Sequence, residues 1–201
     1  MNKKIKYNTK HMKKFLLIVV VLFLGNLLWA QEHQTFKGIE INGTTENFIR
    51  QMECKGFSIQ RNKDGRTVLK GSFSGRPNCL LLINTLEKED IVSSVQVLFE
   101  RELTWTALAN NYDTLKNMLT EKYGQPVEIK ECFVNLYSDE DFLKITRLMS
   151  NDCQWRCTFE TGVGQVMLYI TYETEYGSHV VLEYRDRYNS MKQREAAMSD
   201  L

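Results

Sequence analysis

The sequence predicts an α+β fold of two similar halves, each a helix followed by antiparallel strands, with the helices packed on one side of the sheet or sheets. Three observations lead there. Between Thr104 and Pro126, Trp105, Leu108, Tyr112, Leu115 and Leu119 recur every three or four residues, which sets them on one face of a helix. From about 152 to 186 the apolar residues alternate instead, with turn residues between the runs, the pattern of strands buried on one face. A shorter copy of the same order, helix, glycine turn and strands, precedes both. Helices layered on an antiparallel sheet give an α+β architecture.

In chain order, residues 1–30 stand apart. Six lysines and no acid precede an apolar run of about fifteen residues, Phe15–Trp29, and Ala30 follows. Basic start, apolar middle and small residue read as a secretory signal. The run is shorter than the roughly 20 residues a spanning helix needs, which argues against a retained anchor. Met12 opens a complete signal of its own, so either Met1 or Met12 can be the start. With the six leader lysines gone from 26 basic residues and all 25 acids kept, the remainder carries about −5. A nucleic-acid role wants a basic face, and the charge argues against one.

Residues 31–43 form a polar lead-in with a short extended piece, Phe36–Ile41, and place His33 in a mobile stretch. The first half spans about 44–100. Thr44 or Thr45 caps a helix over 45–55, and Gly56 ends it. Asn62-Lys63-Asp64-Gly65 signals a hairpin between Phe57–Gln60 and Thr67–Phe73. Gly75-Arg76-Pro77-Asn78 is the next turn, then come strands Cys79–Thr85 and Ile91–Phe99 around a charged turn, Glu87–Asp90. The second half spans about 104–186. Its helix is capped by Thr104 and stopped by Gly124 and Pro126, and it is expected to pack on both halves as a pivot. A strand follows near Val127–Phe133. Ser138-Asp139-Glu140-Asp141 resembles the capped start of a short helix with Phe142, Ile145, Leu148 and Met149 at helical spacing. Strands near 152–160, 165–174 and 178–186 close the half. A two-residue loop at Gly162-Val163 pairs Phe159 with Val166 and Cys157 with Leu168, and a three-residue loop at Glu175–Gly177 pairs Tyr172 with Val180 and Ile170 with Leu182. Residues 187–201 are a polar tail or fraying helix.

Five cysteines, an odd number, leave at least one thiol free. Cys153 and Cys157 sit four residues apart on one strand, about 13 Å, too far for a disulfide. They are expected to be small core residues. Cys54 points away from its helix's apolar face, and a bond to Cys79 stays open.

The opening FKGI.I.G at Phe36–Gly43, GSFSG..NC at Gly71–Cys79 and W..L...Y..LK..L..KYG.P at Trp105–Pro126 together resemble a family of secreted proteins of unknown function from gut Gram-negative anaerobes, over nearly the whole chain after the leader. The tandem helix-plus-sheet order is also similar, more weakly, to the β-lactamase inhibitor protein fold and to small outer-membrane assembly lipoproteins. These resemblances imply a binding fold without catalysis and carry no motif residues onto this chain.

The residues themselves point the same way. His33 and His179 are the histidines beyond the leader, too few and too scattered for a histidine triad or a zinc site. No phosphate loop or HExxH is present, and Asp139-Glu140-Asp141 lacks calcium-loop spacing. No catalytic residue, metal ligand or cofactor is assigned. The candidate surface is the far face of the last sheet, Arg156, Met167, Tyr169, Val181 and Glu183, where aromatic, Met and charged groups mix as in binding interfaces. The function expected is a periplasmic or secreted binding protein of the cell envelope. Its partner would be another protein, with no nucleic acid, no membrane after leader cleavage, and a monomer or weak dimer. The alternative is an envelope enzyme acting on cell-wall or glycan material through carboxylates or a thiol.

Overall fold

The computed structural model describes residues 32–61, 67–86, 88–134 and 138–199. The chain opens with two short paired strands, β1 (Thr35–Phe36) and β2 (Ile39–Glu40). Helix α1 (Thr45–Cys54) follows, with the Thr44 hydroxyl accepting from the Asn47 N–H as a cap. Strands β3 (Ser58–Arg61), β4 (Thr67–Phe73), β5 (Arg76–Leu86) and β6 (Glu89–Leu98) form an antiparallel meander. Then come α2 (Trp105–Tyr123), β7 (Glu128–Phe133), α3 (Asp141–Met149), β8 (Cys153–Glu160), β9 (Gly164–Glu173), β10 (Gly177–Asp186) and α4 (Arg187–Ser199).

The strands from β3 on make one eight-stranded antiparallel sheet in the order β3-β4-β5-β6-β10-β9-β8-β7. The last strand of each run, β6 and β10, meet at its centre, Val97 opposite Leu182 and Val95 opposite Tyr184. One core lies between a single face of this sheet and the helices: Leu69, Leu81, Val95, Val97, Val166, Leu168, Val180 and Leu182 pack with Phe48 and Met52 of α1, the α2 stripe and Leu148 of α3. Along β8 and β9, Cys153, Trp155, Cys157, Phe159, Val166, Leu168, Ile170 and Tyr172 turn toward this core, and Phe159 faces Val166 while Cys157 faces Leu168.

Helix α2 forms as its stripe requires. Trp105, Leu108, Tyr112, Leu115 and Leu119 are all buried, the Thr104 hydroxyl accepts from Ala107 N–H, and Gly124 leaves the helix at φ +84°. Trp105 meets Phe133 and Trp155 edge-on at centroid distances of 4.6 and 4.9 Å. The expected pivot packing on both halves is corrected: α2 lies chiefly on β8, β9, β10 and α3. It reaches the first half through a hydrogen bond from Arg76 Nη1 to Asn111 Oδ1, 2.7 Å. The halves are joined by the β6–β10 pairing instead.

Other expectations shift locally. The turn expected at Gly75–Asn78 is the two-residue Ser74-Gly75, both left-handed at φ +52° and +73°, the conformation that matches strand twist. Pro77 lies in β5 beside a register irregularity between Gly71 and Phe73, where a missing N–H is tolerated. The Asn62–Gly65 turn lies outside the described residues. In α3, Leu148 is buried, but Phe142 and Met149 are exposed at 74% and 53%, because the helix touches the core with one narrow edge. Asp141 accepts from the N–H and hydroxyl of Thr106, so this acid serves the start of α2.

The lead-in is a built part of the core, not a mobile stretch. Phe36, Ile39 and Ile41 are buried. Asp186, fully buried, accepts from Gln34 N–H and Asn189 N–H, each at 2.8 Å, and lies 3.1 Å from His33 Nδ1. Asn189 in turn donates to the carbonyls of Ile41 and Val92. These bonds pin the lead-in, β6 and helix α4 together, so 187–199 is a docked helix.

The five cysteines are all free thiols, without a Cys54–Cys79 bond. Cys54 and Cys132 are exposed, while Cys79 and Cys157 are buried and Cys153 is half-buried. Burial pushes the Cys153 thiol up to about 12, and it raises Cys79 and Cys157 as well. A thiol held neutral in the fold costs nothing below its unfolded pKa and loses ground above it. Stability is therefore expected to fall between about pH 9 and pH 12 as the unfolded chain ionises first. At about pH 8, Ellman's reagent should titrate Cys54 and Cys132 quickly and the other three only after denaturation. Fast reaction at Cys157 would contradict this packing.

Candidate functional site

The side of the sheet away from α1, α2 and α3 carries the five residues singled out from the sequence. Two cross-strand rows contain them. Arg156 faces Tyr169, which faces Val181, which faces Leu98. Thr158 faces Met167, which faces Glu183, which faces Gln96. Directly opposed residues share a face, so the structure brings all five together. They differ in access. Arg156 is exposed, Met167 and Tyr169 are half-buried, and Val181 and Glu183 are buried at 1% and 3%, forming the floor.

The β9–β10 register is two residues from the expected one: Ile170 faces Val180, and Tyr172 faces Ser178. The loop is Thr174–Tyr176, and Gly177, at φ +86°, already pairs with Glu173. A two-residue slip returns every side chain to its original face, so the row membership survives the error.

Glu183 is the electrostatic centre. Its Oε1 accepts from Arg185 Nε at 2.6 Å, and its Oε2 from Gln96 Nε2 at 3.3 Å and the Tyr169 hydroxyl at 3.4 Å. Gln96 Nε2 also lies 3.3 Å from the Tyr169 oxygen. Burial, and next the charge of Glu183, raise the Tyr169 hydroxyl above its ordinary range. It stays protonated and donates. A buried carboxylate with three donors is satisfied and held in place.

The cluster opens into a groove of about 610 Å³ between the sheet and α4, lined by Asn84, Ser94, Gln96, Arg185, Ser190 and Arg194 among others. A second hollow of about 440 Å³ adjoins it and shares Arg185, Ser190 and Arg194. Arg187 is paired with Glu160 at 3.1 Å. Gln96, Arg185 and Arg194 were not singled out from the sequence. Arg185 follows Glu183 by two residues, so strand parity alone could have added it. Gln96 and Arg194 belong to the site through the β6–β10 pairing and the docking of α4, which no local pattern announces.

Among the described residues, no three His, Cys, Asp or Glu side chains gather closely enough to hold a metal ion. No helix among them is long and apolar enough to cross a membrane. Comparison with family models, curated proteins and solved structures finds no match to this chain.

Proposed function

We propose that this chain is a non-catalytic binding protein of the cell envelope, exported to the periplasm or beyond, and that its ligand is another protein docking on the Tyr169–Glu183 face. The observation that supports this reading is the fixed Glu183 carboxylate in an open groove, with half-buried Met167 and Tyr169 and exposed Arg156 beside it on the same sheet face but outside the groove's lining. Tyr, Met and Arg are the side chains that protein interfaces use at their centres. A tyrosine already held by its hydroxyl loses little freedom on binding.

The enzyme reading fares worse in the same groove. Glycoside cleavage needs two carboxylates facing each other across the bond. Among the described residues the groove is lined by one, Glu183, which Arg185 engages; in the adjoining hollow Glu160 is engaged by Arg187 and the buried Asp186 by Gln34 and Asn189. A thiol mechanism needs a lowered pKa, and burial raises Cys79, Cys153 and Cys157.

The test is capture of envelope proteins on the immobilised chain, with Tyr169→Ala as the control. Removing a central tyrosine from an interface costs on the order of 2 kcal/mol or more, about 30-fold in affinity. The variant should lose the partner while its circular dichroism stays unchanged. Undiminished capture by Tyr169→Ala would show that the ligand docks elsewhere. Hydrolytic turnover of cell-wall material that disappears in Glu183→Gln would overturn the binding reading.

A further inference from the structure

The open edge of the sheet at β7 carries a separate inference, independent of the groove face. Edge strands present unpaired N–H and C=O groups and are blunted by proline, bulges, cover or shortness. Strand β7 carries charged side chains, Glu128, Lys130 and Glu131, which also blunt an edge, but among the described residues no further strand pairs on its outer side, and six residues pair with β8 without interruption, Glu128 opposite Thr158 through Phe133 opposite Cys153. Ile129 within it and Val127 and Val134 at its ends are 49%, 63% and 46% exposed. Val134 N–H donates to the Asp152 carbonyl at 2.8 Å. Hydrogen-bonded pairs alternate along an antiparallel ladder, so the even-numbered peptide groups of β7 face β8. Those of Ile129, Glu131 and Phe133 therefore point to the open side.

The geometry points to a second copy of this chain as the occupant of that edge, the two β7 strands pairing antiparallel about a twofold axis through Ile129. Charge complementarity favours a second copy, and among the registers centred on Ile129, Lys130 and Glu131 it favours the first. A twofold pairing that continues the sheet must oppose residues of equal parity. Centred on Lys130 it sets lysine against lysine, and centred on Glu131 it sets glutamate against glutamate. Centred on Ile129 it sets Glu128 against the partner's Lys130 twice, at the closer, non-hydrogen-bonded positions. Ile129 then meets its own copy and exchanges two backbone hydrogen bonds with it. Within one chain Glu128 already lies 3.7 Å from Lys130 and 3.1 Å from Arg156, and both Glu128 and Lys130 remain about half exposed at 44% and 47%. The edge thus offers oppositely charged Glu128 and Lys130 two residues apart, a self-complementary pair. An interface this small belongs with weak, reversible assemblies.

Two measurements on the purified chain test this. Single cysteines are placed at Ile129, Lys130 or Glu131 in a Cys54→Ser/Cys132→Ser background and oxidised. Ile129→Cys should give a disulfide dimer at several times the yield of the other two, since directly opposed Cα atoms about 5.5 Å apart suit a disulfide. Sedimentation is then followed against concentration. Glu128→Lys and Lys130→Glu should each abolish self-association, and the double exchange should restore it. Both single variants change only exposed side chains, so restoration in the double variant separates lost pairing from lost folding. Cross-linking strongest at 130 or 131, a monomer at every concentration, or a double exchange that fails to restore association would each overturn the proposal.

Discussion

Gly164→Ala is expected to destabilise the fold by about 3 kcal/mol or more. The backbone at Gly164 is not left-handed, so the reason is space. A Cβ there would stand 2.1 Å from the Arg185 carbonyl oxygen and 3.2 Å from Gln34 Cβ. Backbone cannot yield as a flexible side chain can. Gly164 pairs with Asp186 across β9 and β10, so the strain falls on the residue that holds Gln34 and Asn189. For a domain of this size the change corresponds to a drop in Tm of roughly 10 °C. Gly162→Ala, two residues away, is the matched control: nothing lies within 4 Å of its Cβ, and the cost should stay under about 0.5 kcal/mol. Equal thermal melts for the two variants would mean that β9 and β10 do not approach this closely at their ends.

The second large effect is expected at Leu115→Ala, a loss of about 2–5 kcal/mol. Leu115 is 2% exposed, in the middle of the α2 stripe. Truncation leaves a cavity between α2 and the second-half strands, where Tyr112 is locked by its hydroxyl to Glu131 and Lys116 meets the same carboxylate. Those anchors resist collapse of the gap, which favours the upper part of the range. Met118 of the same helix is 47% exposed, and Met118→Ala should change stability by less than about 0.5 kcal/mol. Chemical denaturation checks both. A Leu115→Ala cost below about 0.5 kcal/mol would mean that α2 is not docked through its stripe.

What could be read from the sequence follows from what is local. The α2 stripe and the alternation of Cys153–Tyr172 are legible because each element buries one face, so burial leaves a period. Parity along β8, β9 and β10 placed Arg156, Met167, Tyr169, Val181 and Glu183 on a common face, and the two-residue error at Gly177 could not disturb it. Strand β10 itself was harder: every residue from Gly177 to Tyr184 is buried, which erases alternation and hides its place at the centre of the sheet. The role of His33, Gln34 and Asn189 was out of reach, since a buried polar joint has no period and depends on partners up to 152 residues apart. The groove residues Gln96 and Arg194 were missed for the same reason.

The meeting of β6 and β10 at the middle of the sheet also sets an order of events. The chain is made from its N-terminus, so β6 exists long before its partner. Until β10 emerges, Val95, Val97 and Leu98 lie along an unpaired edge, and closing that seam joins residues such as Val97 and Leu182 across a long loop. Pairings of this reach are slow to form, and open edges in the waiting state invite association with other chains. Any shortening of the chain before Gly177 removes the partner for good. Chains stopped there should partition into aggregates, while those that end after Asp186 can close the sheet.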